Sequence, residues 1–116
     1  MTDYKDRRFL ESPWEQGVDE AIAYTVTIPT TWGTSDFSSI TCKLTEDPNN
    51  SVAATPVGGN DRSATMLTGS ASSSGQVITT QLVTGLTVNY DYRLEVKFTT
   101  SEGNTVEAWG IIRATR

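Results

Sequence analysis

Tyr92-Arg-Leu-Glu-Val-Lys-Phe98, then Thr99-Thr-Ser-Glu-Gly-Asn104, then Thr105-Val-Glu-Ala-Trp-Gly-Ile-Ile112 is the stretch that decides the fold. Positions 92, 94, 96 and 98 are Tyr, Leu, Val and Phe, whereas 93, 95 and 97 are Arg, Glu and Lys. A period of two puts one row of side chains in a core and the other in water, which is the pattern of a half-buried strand. The polar, glycine-containing segment that follows is a turn, so the two flanking runs read as a hairpin. The return strand leaves one question open. Trp109 is out of phase with Val106 and Ile112 but in phase with Ile111, so its facing is undecided, and Gly110 suits either a bulge or the close approach of a neighbour.

Working outward, Ala21 to Ile28 alternates in the same way, with Ile22, Tyr24, Val26 and Ile28 on one face until Pro29, which has no N–H for a ladder. Ser38 to Thr45 sets Ile40, Cys42 and Leu44 inward. Val52 to Val57 is a weaker strand whose Pro56 marks an edge or a bulge. Ser63 to Thr68 and Gln76 to Val83 read as strands of ambiguous facing, and Gly69 to Gly75 reads as a polar loop. The expected fold is therefore all-β: a seven-stranded antiparallel Greek-key β-sandwich, immunoglobulin-like or fibronectin type III-like. Leu86 lies six residues before Tyr92, the spacing at which a tyrosine opening the penultimate strand turns its hydroxyl back onto nearby backbone. The expected core holds Ile22, Tyr24, Val26, Ile40, Cys42, Leu44, Leu86, Tyr92, Leu94, Val96 and Phe98.

A chain of 116 residues fits one domain, expected to span 21–116 behind an N-terminal arm at 1–20. The arm has no clean periodicity. It scatters Phe9, Leu10 and Trp14 among Lys5, Arg7 and Arg8, with Pro13 and Gly17 as punctuation. Aromatic and arginine side chains dominate interface hot spots, so Phe9, Leu10, Trp14, Arg7 and Arg8 are the candidate interface residues. The closing strand, 105–113, is the expected open edge offered to a partner.

Composition narrows the chemistry. Nine basic residues stand against 14 acidic ones, a net charge of -5, and three of the basic ones fall in the first eight positions. An acidic body is a poor surface for phosphates, so no nucleic-acid partner is expected. Histidine is absent, which removes every His-dependent triad and the common zinc sites. Cys42 is the only cysteine, so no intrachain disulfide forms, and no base stands beside it in sequence to activate it. Asp47, Asn49, Asn50, Asn60 and Asp61 are oxygen ligands of the type calcium prefers, but their spacing matches no calcium loop. No enzymatic activity, metal or cofactor is expected. The first thirty residues lack a leader-like apolar run, and no stretch reaches the length of a membrane helix. The 19 Thr and 11 Ser describe a β protein that relies on hydroxyls more than on charge at its surface.

Trp32 sits in the loop Thr30-Thr-Trp-Gly-Thr-Ser-Asp36. It reads as a lid on the core, as an interface anchor, or, with Asp36 and Asn60, as a sugar-stacking platform. The loop-borne Trp32-Gly33, the Phe98-Thr-Thr-Ser-Glu-Gly-Asn104 turn and the Glu107 that follows carry a resemblance. In style the chain resembles the small immunoglobulin-like or fibronectin-like structural proteins of tailed bacteriophages, although Leu86-Thr-Val-Asn-Tyr90 stands where that style has a Gly-Gly pair. The resemblance implies a non-catalytic virion component, assembled in the host cytoplasm and held by contacts with other structural proteins or copies of itself. A carbohydrate-binding or host-surface adhesion module is the alternative.

Overall fold

A computed structural model describes residues 7–47 and 60–115. The strand expected over 52–57, with Pro56, lies outside them, as do Lys5, Asn49, Asn50 and the Gly58-Gly59 turn. In chain order the elements are β1 (Trp14–Gly17), β2 (Ile22–Thr27), β3 (Ser38–Asp47), β4 (Asn60–Asp61), the single helical turn α1 (Ser63–Met66), β5 (Leu67–Thr68), β6 (Ser72–Ser74), β7 (Val77–Val83), β8 (Asp91–Thr99) and β9 (Thr105–Thr115). They form two sheets, one ordered β1-β9-β8-β3-β4 and the other β2-β7-β5, with β6 also pairing β7. The chain is all-β. Its inner faces meet in a core to which β2 and β7 give Val26 and Ile78, and β8 and β9 give Val96, Phe98, Val106 and Ala108.

The hairpin forms as its alternation requires. Tyr92, Leu94, Val96 and Phe98 are fully buried, and β8 pairs β9 without a break from Asp91–Arg113 to Thr99–Thr105. Other expectations need correction. The described residues hold nine strands rather than seven, and β1 runs parallel to β9, so the sheets are not wholly antiparallel. Ser63–Met66 is a helical turn that leads into β5, and the Asp61 carboxylate just before it accepts from the backbone N–H and the hydroxyl of Ser63, a local turn that competes with a strand. Residues 72–74, expected in a loop, pair with β7. Ile22, Ile40 and Cys42 are half-buried at the margin of the core. At Ile40 the cause is a bulge in β3 between Ser38 and Thr41, where Ser39 adopts a positive φ of 51°.

The largest correction concerns residues 7–17. They are woven into the sandwich: Arg8 bridges Trp109, Phe9 N–H donates to the Trp109 carbonyl at 2.8 Å, and β1 then pairs Ile112 to Thr115. Phe9 is 2% exposed, and full burial of such a ring contributes roughly 2–3 kcal/mol. It fills core that the other strands leave open, which is why the segment docks here. The closing strand is consequently an interior strand, flanked by β8 and β1, and not an open edge.

Candidate functional site

Several polar side chains that the sequence left anonymous hold the two sheets and their loops in place. Gln16 of β1 is fully buried. Its amide donates to the Val83 carbonyl on the opposite sheet at 2.8 Å and to the Glu20 carbonyl at 3.0 Å, while its oxygen accepts from the Tyr24 hydroxyl at 2.7 Å. Burial, with Glu20 nearby, pushes the Tyr24 phenol up to about 12. At the far end Gln76 ties the loop after β2 by donating to the Ile28 and Gly33 carbonyls and accepting from the Ser35 N–H. Glu102 accepts from both the backbone N–H and the hydroxyl of Thr34, which holds its carboxyl down at about 2.

The tyrosine spacing has its structural counterpart. Tyr92 Oη accepts from the Thr87 N–H at 2.8 Å and donates to Glu46 at 2.7 Å. Glu46, buried on β3, takes its second partner from Arg62 at 3.1 Å. A buried carboxylate of this kind is tolerable because both its oxygens are satisfied.

These residues are spent on the fold. What remains is the outer face of the five-stranded sheet. Alternation places Arg93, Glu95 and Lys97 of β8 beside Glu107, Trp109, Ile111 and Arg113 of β9. On the other side stand Thr41, Lys43 and Thr45 of β3. Trp109 faces outward, and it is only 7% exposed because arginines cover it: the Arg93 guanidinium lies 4.1 Å and that of Arg8 5.2 Å from the ring centroid. Such stacks are worth about 0.5–2 kcal/mol each. Arg93 also pairs with Glu95 at 2.9 Å. Beside the indole is a depression of about 520 Å³, lined by Arg7, Arg93, Glu95, Thr105, Glu107 and Trp109. A second, of about 280 Å³, shares Glu95 and Glu107 with it and continues to Lys43, Lys97 and Thr41. Together they make a trough across β9, β8 and β3.

The candidate residues read from sequence fall into three places. Arg7 and Arg8 reach the Trp109 face. Phe9 is in the core, so it is corrected from a surface anchor to a structural residue, while Leu10 beside it is 85% exposed. Trp14 is half-buried against Tyr24, with ring centroids 4.5 Å apart. Its indole occupies the notch left by Gly110, where an added Cβ would meet Trp14 at 2.6 Å. Close approach, not a bulge, explains that glycine. Trp32 packs on Phe9 at 6.4 Å, half-buried over the core. Asp36 is exposed on the same loop, which meets the β8–β9 turn through Ser101 and Glu102. Asn60 is exposed too, but it pairs Glu46, which pairs Tyr92 at the start of β8. The Trp32 loop lies at the other end of β8, roughly 24 Å away at about 3.4 Å per residue. Trp32, Asp36 and Asn60 are not brought together.

Among the described residues no group of three His, Cys, Asp or Glu side chains is placed to hold a metal ion, and no helix is long and apolar enough to cross a membrane. Burial pushes the Cys42 thiol up, partly offset by a backbone bond from Gln81. No protein-family model matches the chain, and no curated protein matches it significantly.

Proposed function

We propose that this chain is a non-catalytic assembly module, an immunoglobulin-like Greek-key sandwich that docks protein subunits through the outer face of its five-stranded sheet. The topology supports the fold part of the reading: β2, β7 and β5 lie in one sheet and β3, β8 and β9 in the other, with the Tyr92 hydroxyl on the Thr87 backbone. The observation that carries the functional part is Trp109 held between Arg8 and Arg93. Two arginines pre-ordered by stacking on a buried indole have the composition and rigidity of interface anchors. A virion is the setting that the phage-protein resemblance implies for such a module.

The reading is tested by charge reversal on the face. Arg8→Glu combined with Lys97→Glu alters two exposed side chains, and of their contacts only the Arg8 stack on Trp109 and its bond to Ser12 are lost, a cost of about 0.5–2 kcal/mol. We expect loss of incorporation into the native assembly with a thermal midpoint close to that of the wild type, and wild-type incorporation for a Leu10→Ser control. Full incorporation of the double variant would overturn the proposal.

A further inference from the structure

The basic residues are segregated in a way the overall charge hides. Seven lie among the described residues, and six of them are on or beside the outer face of the five-stranded sheet: Arg7, Arg8, Lys43, Arg93, Lys97 and Arg113. Arg62 is the exception, pairing Glu46 at the base of β4. Six acidic positions share the face by register, namely Glu15, Asp47, Asp61, Asp91, Glu95 and Glu107. The whole face is therefore near neutral, and the positive charge is concentrated in the trough, whose lining sets Arg7, Lys43, Arg93 and Lys97 against Glu95 and Glu107 on a chain of net charge -5. Lys43 and Lys97 hold no ion pair among the described residues, although Glu95 and Glu107 stand opposite them in register.

From this we infer that the partner presents an acidic, extended polypeptide segment, and that the trough across β9, β8 and β3 receives it. The inference rests on the docking face proposed above and names what the face takes. One end of the trough offers Arg7 and Arg93 beside the Trp109 indole, the other offers Lys43 and Lys97. The ends are about two strand spacings apart, roughly 10 Å, which an extended chain covers with carboxylates about two to four residues apart. Glu95 and Glu107 between them select against a uniform polyanion and favour a segment whose acids alternate with hydrogen-bonding residues. A nucleic-acid strand, with a phosphate at every step, meets those carboxylates and the acidic remainder of the molecule.

The test uses the full chain and a dye-labelled short peptide of alternating Glu and Thr, measured by fluorescence anisotropy against its Gln–Thr counterpart and a single-stranded oligothymidylate. We expect the Glu–Thr peptide to bind at least about tenfold more tightly than the Gln–Thr peptide, to weaken with added salt, and to lose that advantage in Lys43→Glu/Lys97→Glu protein. A Thr25→Glu protein, altered at an exposed position on the other sheet, should keep it. Equal binding of both peptides, or tighter binding of the oligonucleotide, overturns the acidic-segment inference. The docking face itself stands or falls separately, by incorporation of the Arg8→Glu/Lys97→Glu protein.

Discussion

Gly110 shows how one missing side chain sets a local arrangement. It faces inward between Ala108 and Ile112, and the Trp14 ring lies where its Cβ would be, with Ser12 Cβ 3.2 Å from that point. Gly110→Ala should cost about 1–3 kcal/mol, the range for overpacking a filled site. Combining it with Trp14→Leu should give a total smaller than the sum of the two single costs, since the clash is shared. Denaturant midpoints of the four proteins decide it, and strict additivity would mean that Trp14 does not occupy the notch. Two other residues contribute to how stability depends on pH. The Glu102 carboxyl is depressed by its bonds from Thr34, so what it contributes is present above the ordinary carboxylate range and is lost as pH falls toward about 2. Tyr24 is raised, so its contribution is complete below pH 10 and is lost as pH rises toward about 12, where the hydroxyl can no longer donate to Gln16. Tyr24→Phe should flatten the alkaline arm of a thermal-midpoint profile while leaving the acid arm unchanged.

At the scale of elements, β1 is the piece with the most consequence. With the segment before it, it reaches the rest of the fold through the parallel ladder to β9, through Phe9 in the core and Trp14 packed against it, and through Gln16, which spans the sheets. Gln16→Leu should cost about 2–3 kcal/mol, because the Val83 and Glu20 carbonyls and the Tyr24 hydroxyl lose their partner together. Deleting residues 1–16 should lower the thermal midpoint steeply. A midpoint within a few degrees of wild type would mean the segment is a true arm. The contrast between β1 and β8 explains what could be read in advance. In β8 a solvent face and a core face alternate over seven residues, so period alone fixes the strand and its inward side. In β1 the inward residues are an indole and a buried amide, and no apolar period survives. The facing of Trp109 was hidden for a related reason. Outward placement of Trp109 and Ile111 violates the expectation that large apolar groups go inside, and it is permitted because Arg8 and Arg93, far apart in sequence, cover the ring. The Glu46–Tyr92–Arg62 network was hidden likewise, since a lone Glu in a strand reads as a solvated residue until its partners are placed.

For the whole molecule, the candidate site is a consequence of how the sheets divide the charge. The interior absorbs Gln16, Glu46 and Thr80, the loop ends absorb Gln76, Glu102 and Asp61, and the basic residues are left on one sheet face around Trp109. Among the described residues neither end of the sandwich offers a comparable arrangement, since Trp32 is packed on Phe9 and Asn60 is at the opposite end of β8. The central claim, that this face is the docking surface, is most directly tested by carbodiimide labelling of carboxylates in the free chain and in its native assembly, read by mass spectrometry. Glu95 and Glu107 lie within the trough, while Asp19 and Asp36 are exposed away from it. Assembly is expected to protect Glu95 and Glu107 several-fold and to leave Asp19 and Asp36 labelled as in the free chain. Protection of Asp36 or Asp19 with Glu107 labelled at its free rate would contradict it.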